Sequence, residues 1–284
     1  MKIRGHHIAI PAFIGVTVVP LALGAIYALL YSFGIVGALS SGFTTSHWKA
    51  VFADTEFLRS IGYSVYIAST SILLAAIIAM ILVIGYTKHL KKGPLSYAIY
   101  FPLAIPSAVA AFFSFQLLSG AGLLSRLFYN IGITSSIESF PTLINDAYGL
   151  GIIVTHVMMA FPFFTLVFFN VYKSKKIYEL ARLAETLGAS SAVIINKVKF
   201  PILLKGGIPT ILLFFVFVLG SYEVPLLLGR QNPQMVTILT LRKLRRFDLA
   251  VIPQAYVIAL LYLTLVITLL VLAYRKNLLK SYAA

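Results

Sequence analysis

The residues that could do chemistry are scarce in this sequence and rarely stand close together. The 284 residues include eight acidic residues, five histidines and no cysteine. Without cysteine there is no disulfide, no thiolate metal site and no cysteine nucleophile. The sequence also has no HExxH motif, carboxylate pair or serine–histidine arrangement at a predicted membrane face. We therefore expect a non-enzymatic protein with no catalytic residue, no metal site and no cofactor.

Two ionisable side chains fall inside predicted membrane spans. Glu223 follows the predicted start of its span, Ile208, by about fifteen residues at ~1.5 Å each, which puts it near the outer third of that helix. A charge there is costly unless hydrated or paired. Glu223 could line an outer gate or meet a cationic solute, and it could equally be an interfacial carboxylate paired with Arg230 or another outer arginine. His156 fits a hydrogen-bonded packing residue better than a ligand.

The elements that position these residues are long apolar helices. Hydrophobic residues make up 60% of the chain and charged residues 11%, a balance that favours lipid as the main solvent. A bilayer core about 30 Å thick needs about 20 apolar residues in a helix. Six segments qualify: Ile8 to Phe33, Ile61 to Tyr86, Ser96 to Leu118, Gly149 to Val171, Ile208 to Leu228, and Ile252 to Tyr274. The first is too long for a signal-peptide core, so we expect an uncleaved helix.

The distribution of lysine and arginine predicts the orientation. With both termini in the cytoplasm, the inner segments carry fifteen of the 23 basic residues and the outer segments eight. This asymmetry agrees with the excess of basic residues in cytoplasmic loops. The run Arg242 to Arg246 is the exception, because this topology puts it outside. It could meet an acidic patch on a partner protein, although a solvated face or a headgroup contact is slightly favoured.

Several prolines lie inside the predicted spans. Pro102 and Pro106 fall in the third span, Pro162 in the fourth, and Pro209 and Pro225 in the fifth. Each would free a backbone carbonyl that a neighbouring helix or a water-filled path must satisfy. A role in a pathway and simple tolerance of proline by membrane helices are equally good interpretations.

The longest predicted inner loop, between the fourth and fifth spans, reads as two short helices joined by a sharp turn. An apolar stripe at helical spacing predicts the first helix. Its members are Ile177, Leu180, Ala181, Ala184 and Leu187. Gly188 follows where a left-handed cap favours glycine. Ser190 can cap the second helix, which has Ile194, Ile195 and Val198 on its apolar side and which Pro201 is predicted to stop. The exposed stripe predicts a partner protein.

This loop resembles the "EAA" loop of binding-protein-dependent ABC importer permeases. The family pattern is Glu-Ala-Ala, three residues, Gly, and a hydrophobic-Pro pair thirteen residues past the glycine. Ala184, Gly188 and Pro201 match it in type and spacing. Arg182 stands in place of the family glutamate and Leu183 in place of the first alanine. Glu179 or Glu185, one helical turn away on either side, could supply the carboxylate instead.

The resemblance extends over roughly residues 45 to 275. Trp48, Phe52, Asp54, Phe57, Ser60 and Ser64 resemble the family's lead-in to the second span. Pro102 to Pro106 resembles its proline-flanked third span, and Gly120 to Leu124 the turn after it. Gly220 to Pro225 with Leu226 to Gly229 resembles the fifth-span signature of the MetI-like branch that handles polyamines, ferric iron or small organic anions.

The resemblance implies a permease subunit that forms half of a translocation pathway in a bacterial or archaeal inner membrane. Implied partners are a cytoplasmic ATPase, a second identical or homologous permease, an extracytoplasmic solute-binding protein and membrane lipid; no nucleic acid is expected. The ATPase would be a separate chain, because no GxxxxGK[ST] loop occurs here. Expected ATPase-docking residues are Glu179, Arg182, Leu183, Ala184, Glu185, Gly188, Ala189 and Pro201. Expected pathway or gate residues are Tyr222, Glu223, Pro225 and Pro106.

The expected domain organisation is a first helix and outer loop over residues 1–57, a transmembrane core over 58–275 with a coupling loop at 175–203, and a cytoplasmic tail at 276–284. A polyamine-type or small organic ion substrate is favoured. The alternative function is a self-sufficient secondary transporter or channel. That alternative would need intramembrane charges to couple ions, and Glu223 alone supplies few.

Overall fold

A computed structural model describes residues 11–40, 42–87, 90, 99, 101–136 and 139–275. In chain order its α-helices are α1 Val19–Ser32, α2 Ser46–Ala53, α3 Thr55–Tyr86, α4 Ser107–Leu118, α5 Leu123–Asn130, α6 Leu150–Ser174, α7 Ile177–Thr186, α8 Ser191–Ile194, α9 Phe200–Leu219, α10 Glu223–Leu228, α11 Val236–Leu244 and α12 Ile252–Arg275. The basic residues Lys2, Arg4, Lys88, Lys91, Lys92, Lys276 and Lys280 and the predicted tail 276–284 lie outside the described residues.

Within these ranges, six helical stretches are long and apolar enough to cross a bilayer. They are Pro11–Ser32, Thr55–Tyr86, Ser107–Asn130, Leu150–Ser174, Ser191–Leu219 and Ile252–Arg275. They occur in the predicted order, one for each predicted apolar segment. The prediction of an all-α, six-span membrane protein with a helix-turn-helix between spans four and five is confirmed.

The third and fifth spans differ from their predicted bounds. The third was predicted from Ser96, but α4 begins at Ser107 with Pro106 as its N-cap, after a 3₁₀ turn at Phe101–Ala104. Pro102 and Pro106 therefore lie before α4 and not inside it, and Pro106 stands at a helix start, where proline is well tolerated. Residues 96–98 and 100 lie outside the described ranges.

The fifth span does not run to Leu228. Helix α9 ends at Leu219, Gly220 to Tyr222 form a break, and the short helix α10 follows. Pro225 explains the break, because a continuing helix would lack the hydrogen bond from position 225 and its ring would collide with the preceding turn. In α10 the same proline lies in the first turn, where no intrahelical donor is needed.

The chain forms two compact units. The first contains the described residues up to Ser60 together with Val236–Leu269. In it, aromatic rings join α1 to α12: the ring centroids of Tyr31 and Tyr256 are 4.4 Å apart, and that of Tyr27 lies 6.0 Å from Tyr256. Phe33 stacks on Trp48 of α2 at 5.5 Å.

The second unit contains Ile61–Met235 and the described residues from Leu270 onward. Helix α6 is its centre and packs against α4, α9 and α10. Two glycines permit the close crossing of α6 and α9. A Cβ on Gly206 would lie 2.6 Å from Val171 Cγ1, and one on Gly207 would lie 2.2 Å from Phe168 Cε1. Small residues at helix crossings let membrane helices approach closely.

We expect Gly207→Ala to destabilise the protein by about 1–3 kcal/mol, because the added methyl group overpacks the crossing against the buried Phe168 ring. Thermal unfolding in detergent checks this. Gly62→Ala is the matched control, since its Cβ would meet nothing within 4 Å and alanine favours the surrounding helix α3. Equal melting temperatures for the two variants would contradict the packing argument.

Candidate functional site

The loop between spans four and five forms a sharp elbow, which we define as residues 175–203. Helix α6 ends at Ser174, and Lys176 adopts a left-handed conformation with φ 48° that turns the chain into α7. Ile177, the first residue of α7, is fully buried. The start of α7 is therefore packed inside the chain, whereas Tyr178, Leu180 and Leu183 further along the helix are exposed.

Gly188 closes α7 with a left-handed cap, as the sequence predicts. Its φ is +85°, its N–H donates to Glu185 O at 2.9 Å, and Ala189 N–H donates to Ala184 O at 3.0 Å. These two bonds define a Schellman motif, which satisfies carbonyls that the helix end would leave unpaired. The turn is therefore a defined structure that depends on glycine at this position.

The second half of the elbow differs from the prediction of a short helix stopped by Pro201. Ser190 occupies the N-cap position of α8, although its hydroxyl makes no capping hydrogen bond. Helix α8 continues through a π-turn, Ile195–Lys199, directly into α9. Pro201 lies at the start of α9, where it does not end the helix because the π-turn already shifts the hydrogen-bond pattern and Phe200 N–H donates to Ile195 O.

The elbow presents apolar side chains to its surroundings. Leu183 and Leu187 are 59% and 81% exposed, and Ala184 and Ala189 are partly covered. The predicted stripe is thus split, with Ile177 inside and Leu187 outside. Further exposed apolar residues are Tyr178, Leu180, Val193 and Ile195. A mixed apolar and charged surface of this kind is typical of a protein contact.

Arg182 is paired within α7. Its guanidinium lies 3.7 Å from the Glu185 carboxylate, and both side chains are about two-thirds exposed. An exposed pair of this type contributes at most about 0.5 kcal/mol, so both groups stay available to a partner. Glu179 lies in the first turn of α7. Glu179 and Glu185 are the two carboxylates that could replace the family glutamate. Of these two, Glu185 is the one that pairs with Arg182.

The predicted pathway residues fall into two places. Tyr222 is the N-cap residue of α10, Glu223 is its exposed first residue, and Pro225 is buried. Helix α10 packs against α4 and α6. Pro106 precedes span three, whereas α10 follows span five.

Glu223 is not part of any of the six helical stretches that are long and apolar enough to cross a bilayer. It lies beyond the break that follows α9, in a short helix whose N-terminus favours an acidic side chain. Among the described residues, Glu223 forms no ion pair with Arg230 or with another outer arginine. The sequence interpretation placed Glu223 in a helix because the apolar run continues past it to Leu228.

Two of the basic residues in the run 242–246 are paired with carboxylates, which the sequence reasoning missed. Lys243 Nζ donates to Asp54 Oδ2 at 2.8 Å and to Gln254 Oε1 at 2.9 Å. Arg242 lies 2.5 Å from Glu56. We call these four charged residues the double ion pair. The sequence does contain a sign of this pairing. Both carboxylates shortly precede the predicted second span, and the predicted topology places them on the same outer face as the basic run.

The environment of Asp54 favours its charged form. Partial burial works to raise the pKa of this carboxyl, but the hydrogen bond from Lys243, the backbone N–H groups of Glu56 and Phe57 and the lysine charge together lower that pKa below its usual value. Lys243 is 8% exposed, which is unusual for a lysine. Its ammonium group is accommodated because two oxygen acceptors replace the water it loses.

His156 is a packing residue, as predicted. It is 2% exposed, and its Nδ1 lies 2.9 Å from Ile152 O, one helical turn earlier. Among the described residues, no group of three or more histidine and acidic side chains could hold a metal ion.

Two curated relatives are similar to the chain in sequence. It is 27% identical over 194 residues to the probable ABC transporter permease protein y4fN of Sinorhizobium fredii, covering 66% of this chain and 32% of that protein. It is 22% identical over 255 residues to the inner membrane ABC transporter permease protein YnjC of Escherichia coli, covering 89% and 48%. The chain therefore spans half or less of the length of these relatives. No protein-family model matches it.

Two solved structures share the fold. One is a bacterial alginate ABC transporter in complex with a periplasmic protein bound to an alginate pentasaccharide, with TM-score 0.69, 17% identity and coverage of 96% of this chain and 93% of the other. The second is a bacterial ABC transporter involved in the import of alginate, with TM-score 0.67, 18% identity and coverage of 95% and 92%. The chain is thus a multi-pass membrane protein that has the fold of ABC transporter permease chains and is similar to them in sequence.

Proposed function

We propose that the chain is a permease subunit of an ATP-driven importer and forms half of its translocation pathway. The observation that carries this proposal is the elbow, a rigidly capped turn between spans four and five with an exposed apolar surface. The names of the curated relatives and the shared fold support it. The elbow would contact a separate ATPase chain in the cytoplasm.

The proposed contact surface consists of the expected docking residues that α7 and its cap expose. Leu183 and Gly188 are exposed, and Ala184 and Ala189 beside them are small enough for a close backbone approach. Leu187, which precedes Gly188 and is 81% exposed, extends this contact surface. Glu179, Arg182 and Glu185 surround them with charge, and Arg182 would present a positive group where the similar family has a negative one. Pro201 would act indirectly, at the start of the helix that follows the elbow.

A second permease and an extracytoplasmic binding protein complete the proposed assembly. The solved alginate transporter is described in complex with a periplasmic protein, which supports a binding protein as partner. Both termini would lie in the cytoplasm, and α10 would contribute Tyr222, Glu223 and Pro225 to the pathway near its outer end. The first helix and outer loop would end at residue 57, and the transmembrane core would extend from residue 58 to residue 275.

The substrate would be a solute delivered by that binding protein. The polyamine-type or small organic ion preference rests on the resemblance of residues 220–229 to one branch of the family. The curated names give no solute, and the structural neighbours import an acidic polysaccharide, so the comparisons give that preference no support. The ligand that co-purifies with the binding protein identifies the solute directly.

The alternative of a self-sufficient transporter or channel depends on a charged residue within a membrane-spanning helix. Ion-coupled transporters need charged groups within the membrane. Glu223 was the acidic residue assigned to a span, and it lies beyond the end of α9.

Purification of the full chain from its native host tests the proposal. We expect wild-type chain to co-purify with an ATPase that contains a phosphate-binding loop, and Leu187→Asp to reduce the recovered ATPase at least about tenfold, because a charge on the contact surface must be desolvated. Quantification of the bound ATPase by mass spectrometry is the measurement.

Tyr148→Asp is the matched control. Tyr148 is 69% exposed, comparable to Leu187, and lies in the loop before span four, at the membrane face opposite the elbow. It should leave ATPase recovery unchanged. Recovery of wild-type chain without an ATPase, combined with uptake that persists after ATP depletion, would refute the importer proposal.

A further inference from the structure

The basic run 242–246 divides into an inward and an outward part. Arg242 and Lys243, in the last turn of α11, are paired with Glu56 and Asp54. Arg245 and Arg246 follow the end of α11, are exposed, and form no ion pair within the described residues. Phe247 beside them is 104% exposed. We define residues 245–249 as the tip.

The tip is held close to the start of the last membrane span. Val251 N–H donates to Asp248 O at 3.2 Å and Gln254 N–H donates to Val251 O at 3.0 Å, so consecutive turns connect the tip to α12. The Asp248 carboxylate accepts from Ala250 N–H at 3.0 Å. With Asp248 included, two arginines and one carboxylate leave the tip with a net charge of one positive unit.

Three tyrosines indicate the depth of the bilayer interface at this point. Tyr256 lies one turn into α12 and contacts Tyr31 and Tyr27 of α1. Tyrosine is enriched where the hydrocarbon meets the headgroups. Helix α12 has 24 residues and so spans about 36 Å, about 6 Å more than a hydrocarbon core. Tyr256 favours the N-terminal end of α12 as the end that reaches the headgroup layer, and the tip adjoins that end.

We propose that the tip is a lipid anchor at the bilayer surface. The Phe247 ring inserts at the boundary between headgroups and acyl chains, and Arg245 and Arg246 contact lipid phosphates. A wholly exposed phenylalanine next to two arginines matches the apolar and cationic parts of that layer. Leu249 extends the apolar surface, since it is 43% exposed.

Continuity with the membrane span favours lipid over a protein as the occupant. The tip adjoins α12, whose apolar stretch is 17% buried within the chain and presents exposed residues such as Ile267 and Val271. The proposal requires only that the chain spans a membrane. It stands independently of the proposed import function.

A single-tryptophan variant tests the anchor. Trp48 is the only tryptophan, so Trp48→Phe with Phe247→Trp places one fluorophore at the tip. In vesicles of phosphatidylcholine brominated near the headgroup, we expect blue-shifted emission and a loss of about half the intensity, as for a side chain buried about 5–10 Å into the boundary. Acrylamide in the aqueous phase should quench it weakly. Emission at the wavelength of free tryptophan, with no bromolipid quenching, would overturn the proposal.

Controls separate the tip from the rest of the chain. Trp48→Phe with Leu263→Trp reports a lipid-facing position within α12 and should be quenched by lipid brominated deep in the chains instead. Removal of Trp48 could disturb its stack on Phe33. In that case Phe247→Trp is made with Trp48 retained, and the bromolipid quenching that exceeds that of the wild-type chain reports the position of residue 247.

The arginines are tested by headgroup charge. We expect native mass spectrometry of wild-type chain to retain phosphatidylglycerol in preference to phosphatidylcholine, and Arg245→Gln with Arg246→Gln to lower that preference severalfold, whereas the exposed Lys49→Gln should not change it. If the double variant kept the wild-type preference for phosphatidylglycerol, the proposed contacts of Arg245 and Arg246 with lipid phosphates would be refuted. A fluorophore at 247 that responds to a soluble binding protein and not to bromolipid would make the tip a protein-docking surface and overturn the anchor.

Discussion

Replacing Gly188 by valine is expected to stop ATP-driven uptake while leaving the chain inserted in the membrane. Gly188 has φ +85°, a conformation that costs a β-branched residue about 1–3 kcal/mol. On the proposed function, the capped elbow is the contact with the ATPase. A distortion of that size reduces the docked population about 5- to 150-fold. Uptake and ATP hydrolysis measured on the reconstituted complex check the expectation, and we expect hydrolysis to lose its dependence on solute.

Gly132 offers a control with the same backbone requirement. Its φ is +75°, and a Cβ at either glycine would meet nothing within 4 Å, so valine imposes a similar local strain at both positions. Gly132→Val should retain coupled uptake because it lies in the loop after α5, away from the elbow. Gly188→Asn should recover most of the activity, since asparagine tolerates the left-handed conformation. Normal uptake in Gly188→Val would exclude the elbow as the coupling contact.

Removing Lys243 is expected to cause the largest loss of stability among single substitutions at the predicted outer face. Lys243→Met leaves the Asp54 carboxylate, 23% exposed, without its main partner. Breaking a buried pair costs about 3–5 kcal/mol, and the partial exposure of Asp54 reduces this to about 1–3 kcal/mol. The free energy of unfolding in detergent is the measurement. Lys243→Met combined with Asp54→Asn should recover more than half of the loss, because no charge is then left unpaired.

The neighbouring pair provides the comparison. Arg242 and Glu56 are each 33% exposed, so Arg242→Gln should cost at most about 1 kcal/mol. Equal costs for Lys243→Met and Arg242→Gln would show that burial does not distinguish the two pairs.

The free energy of unfolding that Asp54 contributes also depends on pH. Because the pKa of Asp54 is lowered on folding from 3.8, its contribution is fully present above about pH 4 and is lost as the pH falls through the folded value. Asp54→Asn should remove that acid-dependent component, which unfolding measured over a series of pH values would show.

The features that could be predicted from the sequence are those determined by residues close together in the chain. Apolar length identified the six spans, because a bilayer imposes the same requirement on each helix. The cap at Gly188 was predictable because a Schellman motif is determined by neighbouring residues. The second half of the elbow differs from the prediction because Pro201 resembles a stop signal in sequence, whereas the π-turn before it makes this proline part of a helix start.

The remaining features depend on contacts between distant parts of the chain. Lys243 and Asp54 are 189 positions apart, and only the fold brings the two side chains together. The close crossing at Gly207 likewise depends on a particular phenylalanine of α6. The end of span five illustrates a different failure, since the apolar composition continues to Leu228 and conceals the break at residues 220–222. Gly220, the C-cap residue of α9, and Pro225 were the local signs of that break.

The uninterrupted helical path from Ser191 to Leu219 has a geometric consequence. Its 29 residues extend for about 43 Å, and turning such a rod by about 10° about one end moves the other end by about 7 Å. One end is the capped turn at Gly188, and the other is the break that carries Tyr222 and Glu223. On the proposed function, a modest tilt imposed at the elbow would be amplified into a displacement as wide as a small molecule at the far end of this helical path.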